Sequence, residues 1–356
     1  MTDAASIVAL ARPAIRQLSV YAHAQWDPGL ERLHANESPW APVGQDDELA
    51  LNRYPEPQPQ TLWEAMARHY QVLPTQIVVG RGSDEIIDLL TRIFCEADRD
   101  AVTVCPPTFG MYAVAAHIQG ARVLNAPLRS DCSLDLAAIA QTIEAGSRLI
   151  WLCSPNNPTG NCLAESDIEA VLTLAGNRAL VVVDEAYAEF SSQRSWSSRV
   201  LTHPGLVVLR TLSKAHGLAG IRLGTLIAHP AIAELVRKVI PPYAVAQPTL
   251  EAALRALQPA VLAVTRERIE ILRQERERLR KMLAQSPWVQ GVYASDANFL
   301  LIATDTPEIV LERAKASGLL LRDFSGRDGL GGAVRISIGT PDQNNRLLLA
   351  LRAVAT

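Results

Sequence analysis

Lys214, preceded by Ser213, stands just past the apolar run Leu206-Val207-Val208-Leu209 and eight residues before Arg222. Upstream, Ser154-Pro155-Asn156-Asn157-Pro158-Thr159-Gly160 follows a second hydrophobic run, and Asp184-Glu185-Ala186-Tyr187 closes a third, Ala179 to Val183. An amine, a carboxylate, an amide, a phenol and a guanidinium thus each fall at the end of a buried-strand pattern or in the turn beyond it. The chemistry this set suits is exchange of amines on a carbonyl, with a lysine that forms a Schiff base and an acid that holds a positively charged ring nitrogen.

These are the groups that pyridoxal 5′-phosphate (PLP) needs. Lys214 is the candidate Schiff-base residue; once a substrate amine displaces it, it becomes a free amine positioned to move a proton. Asp184 either pairs with the pyridinium nitrogen and keeps it protonated as an electron sink, or caps the helix that follows. Buried and unpaired it would be costly, so a cation is expected opposite it. Tyr187 and the Asn157 amide can reach the ring hydroxyl, or serve as a packed residue and a turn residue. Gly80-Arg81-Gly82-Ser83-Asp84-Glu85 follows the strand-like Ile77-Val78-Val79 and opens a helix whose free N–H groups suit a phosphate. Ser83 or Asp84 serves equally well as its N-cap. Ser213 and Arg222 would complete the phosphate cup, Arg222 as a charge-assisted donor. Phe109 is placed to stack on a pyridine ring or to be a core aromatic, and His216 reads as a structural histidine rather than an acid-base group.

The elements that must position these residues follow from periodicity. Between Thr61 and Ala228, amphipathic stretches alternate with short runs of Val, Ile and Leu: Ile77 to Val79, Ala101 to Val104, Leu149 to Leu152, Val181 to Val183 and Val207 to Leu209. Runs buried on both faces and alternating with helices predict an α/β fold with a mostly parallel sheet, whose ligands gather at the carboxyl ends of the strands. Pro241-Pro242 and Pro248 break the rhythm, and an Arg- and Glu-rich helix is predicted from Ala260 to Gln285. Beyond it come strands at Phe299–Ala303, Leu319–Arg322 and Val334–Ile338, a helix from Pro307 to Ser317 and a last helix to Val354, a smaller α+β unit. The expected organisation is an N-terminal arm (1–35), a large cofactor-binding domain (36–250) and a small C-terminal domain (251–356). The segment Arg53-Tyr54-Pro55-Glu56-Pro57-Gln58-Pro59 excludes regular helix and is expected to lie across another surface.

Length and composition set the bounds. A chain of 356 residues buries a large core and suggests two domains with a cleft. Its 48% hydrophobic and 20% charged content, with a net charge of −3, gives no electrostatic case for nucleic acid or an acidic membrane. Cys95, Cys105, Cys132, Cys153 and Cys162 are odd in number and form neither a C-x-x-C nor a metal-ligand pattern, which fits free thiols in a reducing cytoplasm and no bound metal. The N-terminus has no export signature and no apolar stretch is long enough to span a membrane.

Taken together, the sequence resembles the fold-type I PLP-dependent aminotransferases along its whole length, and among them the histidinol-phosphate branch. The closer likeness rests on His34-Ala35-Asn36-Glu37-Ser38-Pro39, Arg53-Tyr54-Pro55, Arg81 to Glu85, Cys105 to Tyr112, Ser154 to Gly160, Arg210 to Lys214, Leu218 to Arg222, Leu321-Arg322-Asp323 and Val334-Arg335-Ile336. The resemblance implies that Lys214 forms the Schiff base, Asp184 binds the pyridine nitrogen, and Asn157 and Tyr187 contact the ring oxygen. It implies that Ser83, Asp84, Ser213, Arg222 and Tyr54 of the partner subunit hold the cofactor phosphate in a homodimer. Phe109 departs from the tyrosine often found at the stacking position, which keeps stacking and loses a hydroxyl contact. Arg335 matches the arginine that meets a substrate carboxylate across the superfamily and a substrate phosphate in this branch; Tyr21 and Arg322 are the further phosphate candidates by resemblance. The implied reaction is L-histidinol phosphate + 2-oxoglutarate giving imidazole acetol phosphate + L-glutamate in histidine synthesis. An aromatic or broad-specificity aminotransferase and a PLP-dependent threonine-phosphate decarboxylase carry similar motifs.

Overall fold

A computed structural model of the chain describes residues 3–21, 27, 29–44, 50–327 and 329–355. Helices α1 (Ala4–Ala9), α2 (Pro13–Arg16) and α3 (Gln60–Tyr70) lead into strand β1 (Ile77–Gly80) and α4 (Gly82–Phe94). The alternation continues through β2 (Ala101–Val104), α5 (Met111–Gln119), β3 (Arg122–Asn125), α6 (Leu136–Glu144), β4 (Ser147–Cys153), α7 (Glu165–Ala175), β5 (Leu180–Asp184), β6 (Leu206–Thr211) and β7 (Gly224–Ala228). Helices α8 (Pro230–Val239), α9 (Gln247–Ala256) and the 26-residue α10 (Pro259–Ala284) precede β8 (Val289–Val292), β9 (Phe299–Thr304), α11 (Pro307–Ala316), β10 (Arg322–Asp323), β11 (Ala333–Ser337) and α12 (Pro341–Leu351).

The first seven strands form one sheet in the order β1-β7-β6-β5-β4-β2-β3. Only β7 runs against its neighbours, so the carboxyl ends of the other six open onto one edge. Strand periodicity explains how both faces are buried. Leu149, Trp151 and Cys153 of β4 face a layer containing Ile7 of α1, Ile86 and Leu90 of α4, Tyr112 of α5 and Ile232 of α8. Ile150 and Leu152 face Leu62 and Met66 of α3, Ile139 of α6, Ile168 of α7 and Leu250 of α9. Each such aliphatic side chain contributes about 1.5–3 kcal/mol on burial, and truncating the fully buried Trp151 would cost about 3–5 kcal/mol.

The second sheet, β10-β11-β9-β8, is antiparallel throughout and packs on α10, α11 and α12 around Leu279, Leu300, Ile302, Val334 and Leu347. The expected strand at 319–322 is shorter and later. Gly318 takes φ +77°, and the Leu319 N–H closes α11 by donating to Ala314 at 3.0 Å, so pairing begins only at Arg322. The expected arm is also tied down at its start. Ile7 and Ala11 are buried in the main core, and Arg12 pairs with Glu96 at 2.9 Å. Residues 1–2, 22–26 and 28 of that arm lie outside the described residues. Among the described residues, no helix is long and apolar enough to cross a membrane.

Candidate active site

A cleft of about 240 Å³ opens at the carboxyl edge of the large sheet, lined by Ser83, Asp84, Phe109, Cys153, Asn157, Asp184, Tyr187, Thr211, Ser213, Lys214, Arg222 and Arg335. Strand ends, a helix start and the turns beyond them bring these residues together. Cys153, Asp184 and Thr211 are the last residues of β4, β5 and β6; Ser83 and Asp84 lie in the first turn of α4; Arg335 comes from β11 of the small sheet.

One end of the cleft is built by close backbone approach. Gly82 has φ +77°, and a Cβ there would lie 2.6 Å from Arg222 Nη2; a Cβ on Gly224 would lie 2.2 Å from the Ser83 nitrogen. Two glycines therefore let the start of β7 meet the N-terminus of α4, where free N–H groups favour an anion. Arg222, itself in the left-handed region at φ 53°, turns its guanidinium onto this point and donates to Asp84 Oδ2 at 3.1 Å. The Ser213 N–H donates to Thr211 Oγ1 at 3.1 Å, fixing the turn that carries Lys214.

Asp184 lies at the other end and is only 3% exposed. Its Oδ2 accepts from the Tyr112 hydroxyl at 2.7 Å and its Oδ1 from the Ala186 N–H at 3.1 Å. Burial pushes its pKa up to about 6, against the pull of these two donors; the Asp84 charge raises it further and Lys214 lowers it. Among the described residues no basic side chain forms an ion pair with it, so a buried acid bordering a cavity is left to meet a cation that enters. This donor set, the glycine-bounded helix start and the lysine between them fit PLP. Lys214 is open to the cleft, yet enclosed enough that desolvation is the largest influence lowering its pKa, followed by the Arg335 charge, with Asp184 opposing. Its Nζ stands 5.6 Å from the centre of the buried Tyr187 ring.

Arg335 joins this cleft to a wider chamber of about 560 Å³, which also holds Phe109, Asn157, Arg322, Phe324 and Arg327 and has no acidic residue in its lining among the described residues. Arg335 Nη1 donates to Asn157 Oδ1, and its guanidinium sits 5.2 Å from the ring centres of Phe299 and Phe324. Burial lowers its pKa, and the Arg322 charge acts in the same direction. Arg322 is the residue directly opposite Arg335 in the β10–β11 ladder. Like charges facing one another across strands are destabilising unless an anion lies between or beside them.

Tyr21 and Tyr54 are not among the residues lining either chamber of their own subunit. Tyr54 is 49% exposed and stacks on Tyr243 with ring centres 4.6 Å apart; Tyr21, 70% exposed, lies close enough to help raise the Tyr243 pKa. His216 sits edge-on to His69 at 5.2 Å, outside the lining of the cleft, and burial lowers its pKa. Sequence reasoning missed Tyr112, Thr211 and Arg327. The need of a buried carboxylate for donors was the one available signal for Tyr112.

Residues 33–351 match the family described as aminotransferase class I and II. The histidinol-phosphate aminotransferase of Stenotrophomonas maltophilia is 44% identical over 99% of this chain and 98% of its own length. That of Xylella fastidiosa (strain Temecula1) is 45% identical over 90% of this chain and 89% of its own. Among solved structures, histidinol-phosphate aminotransferase from Sinorhizobium meliloti in complex with pyridoxal-5′-phosphate superposes with a TM-score of 0.77 at 25% identity, covering 90% of this chain and 89% of that one.

Proposed function

The chain belongs to the class I and II aminotransferases and, within them, to the histidinol-phosphate aminotransferase family, and from that premise we propose that it moves an amino group from L-histidinol phosphate to 2-oxoglutarate, giving imidazole acetol phosphate and L-glutamate. It is a PLP-dependent enzyme. When bound, PLP supplies an aldehyde for the substrate amine and a protonated ring that accepts electrons. Asp184 is proposed to face the ring nitrogen, Asn157 and Tyr187 the ring oxygen, and Phe109 a ring face. The N–H groups of Ser83 and Asp84, with Ser213 and Arg222, are proposed to hold the cofactor phosphate. Lys214, once freed by the substrate amine, would take a proton from the substrate Cα and return it to the cofactor carbon that had carried the aldehyde. Its lowered pKa favours the neutral amine that this task needs.

The observation that carries the substrate reading is the cross-strand pair Arg322 and Arg335 in an acid-free chamber opening onto the cofactor cleft. A phosphate dianion relieves that repulsion. The proposed unit is a cytoplasmic homodimer in which Tyr54 of the partner subunit completes the phosphate site and Tyr21 of the partner subunit the substrate site. Its support is the exposed apolar surface of Leu18, Val20, Leu33, Trp40 and Val43, together with five free cysteines.

A substrate panel scoring both keto product and carbon dioxide tests this reading. Histidinol phosphate should give imidazole acetol phosphate and stoichiometric glutamate, with phenylalanine and tyrosine much slower. Carbon dioxide from threonine phosphate with histidinol phosphate inert would overturn it in favour of a decarboxylase; equal rates on aromatic amino acids would leave a broad-specificity aminotransferase.

A further inference from the structure

Tyr112 lies in the first turn of α5 and is fully buried, with an apolar ring that reads as core. Its ring stacks flat on Trp151, with centres 4.9 Å apart and planes 4° from parallel, and meets Phe109 edge-on at 5.6 Å. Two aromatic contacts thus fix the direction of its hydroxyl, which ends 2.7 Å from Asp184 Oδ2. Resting on the cofactor site described above, we propose that Tyr112 is a positioning residue for ring protonation: its hydroxyl keeps Asp184 ionised and aimed, so that the PLP ring nitrogen rather than Asp184 holds the shared proton.

The direction of the bond follows from the acidities. Burial and the neighbouring Asp184 charge drive the Tyr112 pKa well above its ordinary value, while Asp184 reaches only about 6, so the proton stays on the tyrosine and Tyr112 donates. The other ionisable groups that face Asp184 cannot replace it. Cys153 of β4 is held neutral by burial and its thiol is directed at the Pro155 carbonyl oxygen at 3.4 Å. Tyr187 is held neutral by burial, Asp84 of α4 repels the carboxylate, and Lys214, the one cation among them, lines the cleft without forming an ion pair with Asp184. Without the hydroxyl, the Ala186 N–H at 3.1 Å is the one remaining donor to the carboxylate among the described residues. Loss of a hydrogen bond to a charged group raises the proton affinity of the carboxylate by roughly 10- to 100-fold. The ring nitrogen then surrenders part of its proton and the electron sink weakens.

The test is ¹⁵N NMR of protein loaded with PLP labelled at the ring nitrogen, for wild type, Tyr112→Phe and Trp151→Phe, with kcat and KM alongside. The wild type should show a protonated ring nitrogen. Tyr112→Phe should move that resonance toward neutral pyridine and lower kcat about 10- to 100-fold with KM little changed. Trp151→Phe, which loosens the stack and keeps the donor, should lower Tm and leave the resonance in place. An unmoved resonance in Tyr112→Phe, or equal movement in both variants, overturns the proposal. A ring nitrogen already neutral in the wild type would defeat the Asp184 assignment itself, which separates the two failures. If Tyr112→Phe does not fold, 3-fluorotyrosine at position 112 keeps the packing with a stronger donor, and should hold the ring-nitrogen resonance at the protonated position or beyond it at neutral pH; a shift toward neutral pyridine overturns the proposal.

Discussion

Replacing Arg335 by alanine removes the cation that links the two chambers. Two losses follow. Asn157 Oδ1 loses its guanidinium donor, which affects every substrate alike, because Asn157 lines the inner cleft. A substrate phosphate loses a charge-assisted partner in a half-buried setting between Phe299 and Phe324, which affects only phosphorylated substrates. Breaking such a desolvated charge pair costs about 2–5 kcal/mol, so kcat/KM for histidinol phosphate should fall roughly 30- to 5,000-fold. Arg335→Lys should recover part of this, since it keeps the charge and loses the planar fork. The more exposed Arg322 should matter less, up to about fivefold for Arg322→Ala, as surface pairs are worth about 1 kcal/mol at most. The assay compares wild type and Arg335→Ala on histidinol phosphate and on histidinol at saturating 2-oxoglutarate. Unphosphorylated histidinol should be a poor substrate for the wild type and lose far less on mutation. If both substrates lose rate equally, Arg335 acts through Asn157 alone and is not the phosphate reader.

Asp184→Asn should lose several orders of magnitude in kcat while retaining some cofactor, because a neutral amide cannot hold the ring nitrogen protonated and each 1.36 kcal/mol lost is tenfold in rate; near-normal turnover refutes the role. In cofactor-free protein, Asp184 stabilises the fold only while protonated. Its rise from 3.8 to about 6 is worth about 3 kcal/mol of stability that is present below pH 3.8 and gone above pH 6. The Asp184→Asn variant should therefore escape this loss, and wild-type and variant Tm values that fall in parallel across that window contradict the burial argument. Tyr54→Phe should weaken PLP binding by about 1.5–3 kcal/mol, and mixing it with Lys214→Ala should regenerate one intact site per hybrid dimer; no gain in activity after verified subunit exchange argues against shared sites. Borohydride reduction followed by peptide mapping should label Lys214, and a label on another lysine sinks that assignment.

Much of the large sheet was legible because its strands are buried on both faces and read as unbroken apolar runs, as at Leu149 to Leu152 and Val181 to Val183. The places of Asp184 and Lys214 followed, since residues at the carboxyl ends of parallel strands converge whatever the helices between them do. The small sheet was read less well. Strand β10 has two residues and begins where a helix cap releases the chain, which no periodicity announces. Tyr112 was hidden for a different reason: as a helix residue with an apolar ring it reads as core, and only the three-dimensional meeting of α5 with the end of β5 gives its hydroxyl a purpose. Tyr21 and Tyr54 were singled out by resemblance, which placed Tyr54 on the partner subunit, and neither lines the cleft or the chamber of its own subunit.

The most direct test of the account is a half-reaction. PLP-loaded enzyme mixed with histidinol phosphate and no 2-oxoglutarate should release one equivalent of imidazole acetol phosphate per Lys214 and stop, its visible absorption lost as the cofactor takes up the amino group, and 2-oxoglutarate should then restore the spectrum with one equivalent of glutamate. Continued turnover without the keto acid, release of carbon dioxide, or an unchanged spectrum would contradict it.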